Sequence, residues 1–290
     1  MHKTDWLYQA KWGIFNHYLF GLYDNDDWNA LVDSFDTDRL AKMLSDMGAG
    51  YYFITIMQLH RYMIAPNETY DRITGYHPGE ACARRDLISD LYDSLSQYGI
   101  RLCLYYTGDG PMKDPQAGAA MGYTSYDAPI TDMFVDNWAS VLRDYSLRYG
   151  NKISAWWIDG CYSWLGYDED KLGKLAAAAR AGNPDALVAL NGGVFPRVSA
   201  YSIHDDFTTG EMTTFTDIPD ERFIDGSQWH ELVYLGSNWA KFDTQIDGPS
   251  LAEYVEKVND HGGVVTIEIG VTADGNFSDI QKEVLSHIKK

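Results

Sequence analysis

The chain has 290 residues, and its 42 Asp and Glu against 23 Lys and Arg give a formal net charge of −19. A protein this acidic is repelled by phosphate backbones, so the composition argues against nucleic-acid binding. Hydrophobic residues make up 45% of the chain and charged residues 22%, which is typical of a folded globular protein rather than a disordered one.

Short apolar segments with the period of a β-strand alternate along the chain with amphipathic segments that have the period of a helix. Several of the helical segments are followed by a glycine, which ends them. In chain order, the predicted elements are strand 11–18, helix 36–47, strand 51–56, helix 86–98, strand 101–106, helix 131–149, strand 153–158, helix 168–182, strands 187–191, 202–208 and 229–235, helix 250–260, strand 264–269 and helix 278–289.

This alternation predicts a (β/α)8 barrel, because about eight strands, most of them followed by a helix or a long loop, fit the usual length of that fold. A doubly wound open sheet is the main alternative. The nucleotide-binding motifs typical of an open sheet are missing, since no GxGxxG follows the first strand and no GxxxxGK[ST] occurs. No Pro-rich or Ser-rich linker divides the chain, so we expect residues 1–290 to form a single α/β domain.

Two acidic residues lie where predicted β segments end. Asp159 ends the fourth strand, and alternation along that strand places Trp157 on the same side. At the mouth of a barrel such a carboxylate can attack an electrophile while Trp157 forms a pocket wall, although Asp159 could instead cap the turn at Gly160. Glu211 follows a later β segment. A glycosidase needs two carboxyl groups, one ionised and one that keeps its proton, and these two are candidates.

The sequence offers weaker support for metal or nucleophilic-serine chemistry. A metal site would have to form from widely separated residues, namely His17, His60, His204, Asp205, Asp206 and His230. No HxH or HxxxH pair is present, and no Gly-x-Ser-x-Gly motif occurs. We therefore expect no metal and no cofactor.

The cysteines and the N-terminal residues give an indication of the cellular compartment. Cys82, Cys103 and Cys161 are odd in number and too dispersed for a disulfide framework or a CxxC site, which favours a reducing compartment. The first residues lack a signal-peptide pattern, and no stretch reaches the roughly 18 apolar residues of a membrane helix. We expect a cytoplasmic protein with no membrane partner, unless a signal peptide has been removed.

Four segments carry motifs in a consistent order. Residues 11–17 read KWGIFNH, residues 99–106 read GIRLCLYY, residues 157–160 read WIDG and residues 206–211 read DFTTGE. They are similar to the motifs K-F-G-I-F-x-H, G-x-x-x-G-x-Y-Y, W-x-D-G and D-[FY]-x-T-x-E. Together with a C-terminal stretch at 258–275, these segments resemble the catalytic domain of the α-L-fucosidase family, glycoside hydrolase family 29.

The resemblance implies a retaining glycosidase that removes a terminal α-L-fucose or a closely related sugar from an oligosaccharide or glycoconjugate. Carried over by position, it implies that Asp159 is the nucleophile and Glu211 the general acid/base. It also implies that His17, Tyr106 and Trp157 line the sugar pocket.

The chain departs from the family pattern at several pocket positions. Paired histidines of the family motif T-x-H-H-D-G-F fall on Gln58 and Leu59, and His60 recovers one of them if the loop shifts by a residue. We therefore expect Gln58 and His60 at the pocket. A family arginine corresponds to Gly193 and a family asparagine to Glu268. An unpaired polar group costs about 1–3 kcal/mol, so these changes affect the choice of sugar. From the sequence, we also expect a barrel without the C-terminal β-sandwich of many family members.

Two alternatives stay open from the sequence. The replaced histidines suggest a carbohydrate-binding or catalytically degenerate barrel as a second hypothesis. Asp205, Asp206 and Glu231 are alternative acids, because the loop that carries Glu211 aligns least securely. If Asp159 and Glu211 act as a retaining pair, we expect their carboxyl groups about 5–5.5 Å apart. We also expect the charge of Asp159 to raise the pKa of Glu211.

Overall fold

Eight parallel strands form the centre of the molecule in the computed structural model, which describes residues 2–123, 125 and 128–289. Neighbouring strands pair in the order β5-β4-β3-β2-β1-β8-β7-β6. The strands are β1 (Trp12–Asn16), β2 (Tyr51–Thr55), β3 (Arg101–Thr107), β4 (Ile153–Asp159), β5 (Leu187–Leu190), β6 (Glu211–Met212), β7 (His230–Tyr234) and β8 (Val264–Glu268). A small antiparallel hairpin, Phe223–Ile224 with Ser227–Gln228, precedes β7. This is the predicted (β/α)8 architecture in a single domain.

Ten α-helices of the described residues surround the strands. Nine of them start at an Asp, Asn, Ser or Thr whose side chain accepts a hydrogen bond from the amide three residues further on, which satisfies one of the free amides of the first turn. The helices are α1 (Asp5–Ala10), α2 (Trp28–Ser34), α3 (Thr37–Met47), α4 (Glu68–Thr74), α5 (Leu87–Ser96), α6 (Pro115–Met121), α7 (Asp132–Tyr149), α8 (Glu169–Ala179), α9 (Gly248–Asp260) and α10 (Asp279–Leu285).

The six predicted helices correspond to α3, α5, α7, α8, α9 and α10, and the sequence pattern missed α1, α2, α4 and α6, which have six or seven residues each. One predicted strand is wrong. Residues 202–208 do not form a regular strand, because Asp205 folds back on its own segment and accepts hydrogen bonds from the amides of Ser202 at 2.9 Å and Tyr201 at 3.2 Å. The sixth strand begins later, at Glu211.

Side-chain carboxylates close the barrel between β5 and the segment that leads into β6. The amide of Val188 donates to Oδ2 of Asp206 at 2.9 Å, and the amide of Leu190 donates to Oδ1 of Asp205 at 2.9 Å. In return, the amide of Asp206 donates to the carbonyl of Val188 at 2.8 Å. Arg180 binds the same Asp206 oxygen at 2.7 Å. Asp205 and Asp206 therefore hold the seam of the barrel, and the hypothesis that either is an acid of the site is wrong.

Side chains alternate between the barrel interior and the surrounding helices. Interior positions carry Phe15, Phe53 and Leu232, which are at most 2% exposed. Glu231 points the other way, toward α9, where its Oε2 accepts a 2.8 Å hydrogen bond from the hydroxyl of Tyr254. Glu231 is therefore also wrong as a candidate acid.

The three cysteines, Cys82, Cys103 and Cys161, are all buried and unpaired. Burial raises the pKa of each thiol. Within the described residues, no helix combines the length and the apolar character needed to cross a membrane.

Candidate active site

Asp159 and Glu211 meet at the carboxyl end of the barrel, where each is held by a neighbouring glycine. Gly160 has a φ of +67°, and a Cβ there would lie 2.9 Å from the carboxyl carbon of Asp109. Gly210 has a φ of +53°, and a Cβ there would lie 2.1 Å from the carbonyl oxygen of His230. Only glycine fits either position, so the backbone is fixed on both sides of the candidate pair.

One amide group joins the two carboxyl groups. The Nδ2 of Asn191, which follows β5, donates to Oδ1 of Asp159 at 2.8 Å and to Oε2 of Glu211 at 2.7 Å. The Oδ1 of Asn191 accepts from the hydroxyl of Thr209 at 3.2 Å, which fixes the orientation of the amide. Two oxygens bound to one nitrogen are at most about 5.5 Å apart, which is below the separation of about 6.5–9.5 Å typical of inverting glycosidases.

The surroundings of Glu211 favour its protonated form. Burial is the largest cause and the negative charge of Asp159 the second, and together they raise the pKa of Glu211 to about 7. The hydrogen bond from Asn191 and the nearby His17 act in the opposite direction. Glu211 is thus suited to hold a proton up to about pH 7.

A hydrogen-bond chain reaches Asp159 from the β2 side of the barrel. The hydroxyl of Tyr105 donates to Oδ2 of Asp159 at 2.7 Å and accepts from Nε2 of Gln58 at 2.9 Å. Both oxygens of Asp159 therefore have a donor, one from Tyr105 and one from Asn191. These bonds fix the direction of the carboxylate at the mouth of the barrel.

The pocket above the pair has a volume of about 310 Å³, at the lower end of the size expected for a small-ligand site. Five of its 13 lining residues are Phe, Tyr or Trp, and Tyr105 and Trp157 stack at 5.5 Å between ring centroids. Three of the residues that the sequence proposed for sugar binding, His17, Gln58 and Trp157, lie in the lining of this pocket. The lining residues are Phe15, His17, Leu19, Leu22, Gln58, Tyr105, Trp157, Asp159, Tyr162, Glu211, Leu232, Trp239 and Ala240.

Two predicted pocket residues lie elsewhere. Tyr106 is fully buried on the helix side of β3, where its hydroxyl donates to the carbonyl of Trp138 at 3.0 Å. Its neighbour Tyr105 takes the pocket position, because adjacent residues of a strand point to opposite sides. His60 is exposed and lies beyond the pocket lining, next to Phe20. The backbone turns at Leu59, which has a φ of +63°, and carries His60 away from the site.

His17 is held by a buried carboxylate at the end of β8. Oε1 of Glu268 accepts from Nδ1 of His17 at 3.0 Å and from the amide of Ala240 at 2.9 Å. Glu268 is fully buried, and within the described residues its Oε2 has no hydrogen-bond partner. Trp239, which precedes Ala240, packs edge-on against His17 at 5.5 Å. Glu268 thus ties together the histidine and the Trp239 wall of the pocket.

The histidines considered as metal ligands have other surroundings. His230 lies inside the barrel below the pocket, between the Thr208 carbonyl at 2.8 Å and the Thr266 hydroxyl at 2.6 Å, and burial lowers its pKa to about 4. His204 lies against Glu169 of α8. Across the described part of the chain, no group of three or more His, Cys, Asp or Glu side chains is arranged to hold a metal ion.

Sequence reasoning missed Tyr105, Asn191 and Trp239. Asn191 directly follows β5, so the argument that selected Asp159 at a strand end would have selected it as well. Whether Tyr105 or Tyr106 faces the pocket depends on which side chains of β3 point into the barrel, and the sequence alone does not reveal this. Trp239 comes from the loop after β7, which has no periodic pattern.

Two close carboxyl groups over an aromatic-walled pocket, at the carboxyl face of a (β/α)8 barrel, are typical of a glycoside hydrolase. The α-L-fucosidase family model matches residues 23–290. The chain therefore belongs to the α-L-fucosidase family, and the protein is a glycoside hydrolase. A search of curated protein sequences gave no significant match.

Solved structures with the same fold cover almost the whole chain. An endo-fucoidan hydrolase of glycoside hydrolase family 107 has a TM-score of 0.75 at 16% identity, covering 99% of this chain and 92% of its own. The α-L-fucosidase AlfC, in complex with Fucα(1,6)GlcNAc, has a TM-score of 0.72 at 17% identity, with coverages of 99% and 96%. An α-L-fucosidase of family 29 from Bacteroides thetaiotaomicron, a trapped covalent intermediate, has a TM-score of 0.67 at 15% identity, with coverages of 99% and 73%.

Proposed function

We propose that this protein is a retaining exo-glycosidase that removes a terminal α-L-fucose, or a closely related sugar, from an oligosaccharide or glycoconjugate. The observation that carries the proposal is the pair of carboxyl groups held by Asn191, with Asp159 and Glu211 each within 2.8 Å of the same nitrogen. Membership of the α-L-fucosidase family supports fucose as the sugar.

In the first step, an oxygen of Asp159 attacks the anomeric carbon and forms a glycosyl-enzyme ester. The bond from that carbon to the leaving oxygen breaks, and its electron pair stays with the leaving oxygen, which takes the proton of Glu211. With a pKa of about 7, Glu211 carries this proton in about half of the molecules at pH 7 and in most of them at lower pH. The hydroxyl of Tyr105 and the amide of Asn191 hold Asp159 in position for the attack.

In the second step, Glu211 is a carboxylate and takes a proton from water. The water oxygen attacks the anomeric carbon, the ester bond breaks, and Asp159 leaves as a carboxylate. Two displacements at the same carbon return the original anomeric configuration. His17 and Gln58 supply polar groups to the sugar, while Trp157 and Trp239 supply apolar faces.

The test uses p-nitrophenyl α-L-fucoside together with single-residue variants. We expect the wild-type protein to release nitrophenol and NMR to show the α-anomer as first product. Asp159→Gly should abolish turnover and leave the circular dichroism spectrum unchanged. Glu211→Gly should be slow, and azide should restore its turnover by attacking the glycosyl-enzyme without a general base. An inverted first product would exclude the double displacement.

The choice of sugar is tested on a panel that adds α-L-galactoside and related deoxy-sugars. Gln58 occupies the pocket edge in place of a family histidine, and its amide can both donate to and accept from a sugar hydroxyl. Tight sugar binding with no turnover on any member of the panel would instead support a carbohydrate-binding barrel.

A further inference from the structure

A second aspartate lies buried beside the strand end that carries Asp159. Asp109, in the loop after β3, is 6% exposed and stands outside the lining of the pocket. A Cβ on Gly160 would lie 2.9 Å from both the carboxyl carbon and the amide nitrogen of Asp109. The carboxyl group of Asp109 therefore fills the space next to the α-carbon of the residue that follows Asp159.

The backbone that leads to Asp109 is bonded directly to Asp159. In the pairing of β3 with β4, Thr107 lies opposite Asp159, and the amide of Gly108 donates to the backbone carbonyl of Asp159 at 2.5 Å. The carbonyl of Gly108 accepts from the hydroxyl of Tyr167 at 2.5 Å. These bonds join the start of the β3 loop to the end of β4.

The side chain of Asp109 is oriented by its own loop, and that loop is supported by α7. The hydroxyl of Thr107 donates to Oδ1 of Asp109. The carbonyl of Thr107 accepts from Nε1 of Trp138 at 2.5 Å. A Cβ on Gly110 would lie 2.9 Å from the ring of Phe134, so this part of the loop packs closely on α7. The Asp109 carboxyl group therefore has a rigid support.

The surroundings of Asp109 favour its uncharged form. Burial is the main cause that raises its pKa to about 7, the charge of Asp159 adds to this effect, and the hydrogen bond from Thr107 opposes it. The titratable groups around Asp109 come from β3, from its own loop, from β4 and from the loop after β4, and they are Tyr105, Lys113, Asp159, Cys161 and Tyr167. An uncharged carboxyl group fills space beside an ionised nucleophile without repelling it.

We propose that Asp109 is a positioning residue, which braces the backbone of Asp159 and Gly160 and so fixes the direction from which the nucleophile attacks. This inference rests on the proposed function. Gly160 has a φ of +67° and no side chain of its own, so its backbone is free to relax wherever a neighbour leaves space. A shift of about 1 Å in a reacting group is enough to slow a reaction about 100-fold.

The test compares Asp109→Ala with Asp109→Asn on the best nitrophenyl glycoside of the panel, at about pH 6, where Asp109 is largely protonated. Alanine empties the space beside Gly160, so we expect kcat to fall about tenfold and KM to stay within about twofold of wild type. Asparagine has the size of a protonated aspartate and an oxygen that accepts from Thr107, so it should keep kcat within about threefold. Equal losses of kcat in the two variants would overturn the proposal, because the carboxyl group would then act by its chemistry.

Asp114→Ala is the matched control, because Asp114 is also 6% exposed and ends the same loop, where it accepts from the amide of Ala117 in α6. It should lower the Tm, as Asp109→Ala does, and leave kcat within about twofold of wild type. A lower Tm without a lower kcat in Asp109→Ala would show a purely structural role and overturn the proposal.

If the wild type hydrolyses no member of the panel, the proposed function fails, and the contact is then tested without turnover. Crystal structures of the wild type and of Asp109→Ala should show the Asp159 carboxylate displaced by about 0.5 Å or more in the variant. The same position of Asp159 in both structures would overturn the inference.

Discussion

The hydroxyl of Tyr105 donates a 2.7 Å hydrogen bond to Oδ2 of Asp159. Tyr105→Phe removes that donor and also leaves Gln58 without its acceptor. Because hydrogen bonds to charged groups are worth about 1.5–3 kcal/mol, we expect kcat/KM on nitrophenyl fucoside to fall at least tenfold. Steady-state kinetics with wild type and variant measure the change.

Tyr106→Phe is the control for this prediction, since it removes the same atom from the next residue. The hydroxyl of Tyr106 binds the carbonyl of Trp138 behind the sheet, far from substrate. We expect a loss of about 1 kcal/mol in the free energy of unfolding and kcat/KM within twofold of wild type. A larger kinetic effect in Tyr106→Phe than in Tyr105→Phe would mean that the orientation of β3 is wrong.

The rate should depend on pH through Glu211. Its raised pKa of about 7 means that Glu211 carries its proton below pH 7 and loses it above. Because the protonated form is the general acid, kcat/KM should be level more than about one unit below pH 7 and fall about tenfold per pH unit well above it. A profile of kcat/KM against pH measures this descending limb. Its apparent pKa belongs to the interacting pair of Glu211 and Asp159. A fall that starts near pH 4.5 would show that the pKa of Glu211 is not raised.

Asn191→Ala should move this limb to higher pH. The amide of Asn191 lowers the pKa of Glu211, so its removal leaves burial and the charge of Asp159 less opposed. We also expect kcat to fall about tenfold, because both carboxyl groups lose a positioning bond. Asn259→Ala, in the last turn of α9, serves as the control and should leave the limb and kcat unchanged. A limb that shifts to lower pH in Asn191→Ala would contradict the arrangement.

Glu268→Gln should alter the tautomer of His17. A carboxylate only accepts hydrogen bonds, so Glu268 keeps the proton on Nδ1 of His17, whereas a glutamine amide can also donate to that nitrogen. We expect a higher KM, a kcat within about threefold of wild type, and a changed ¹⁵N spectrum of the His17 ring. Glu256→Gln, at an exposed position of α9, should change none of these. Unchanged spectra and kinetics in Glu268→Gln would leave Glu268 without a positioning role.

Asp206→Asn should weaken the barrel seam and spare the chemistry. It removes the charge that binds Arg180 at 2.7 Å and Lys3 at 2.9 Å. We expect the free energy of unfolding to fall by about 2 kcal/mol and the Tm by several degrees, with activity at 25 °C retained. Asp46→Asn, an exposed partner of Lys42, should have no measurable effect. Loss of activity at unchanged Tm would instead make Asp206 part of the site.

The sequence predicted the barrel and the two carboxyl groups because both depend on local patterns. Strand and helix periods are read within a few residues, and each of the two acidic residues stands beside a glycine, Asp159 at the end of β4 and Glu211 at the start of β6. The positions of Tyr105 and His60 depend on features without such a pattern. Strand β3 buries both faces, so its apolar run does not reveal which tyrosine faces inward, and the turn at Leu59 is a backbone conformation rather than a composition.

Asp205 and Asp206 illustrate a second feature of the site that the sequence alone could not predict. Their acidic side chains near a β segment resemble catalytic candidates in sequence, but three-dimensional packing gives their oxygens to the amides of Leu190 and Val188. A carboxylate that satisfies backbone amides cannot be told from a catalytic one until the neighbouring strand is known.

The buried cysteines make the folded protein convenient to label. Maleimides react with thiolates, and the raised pKa values of Cys82, Cys103 and Cys161 keep these thiols protonated and out of reach. A cysteine introduced at the exposed Ser163, beside the Trp164 ring, would therefore accept a dye selectively without prior removal of the native cysteines. Because the neighbouring Tyr162 lines the pocket, fluorescence from that dye would follow the binding and release of ligands there in real time.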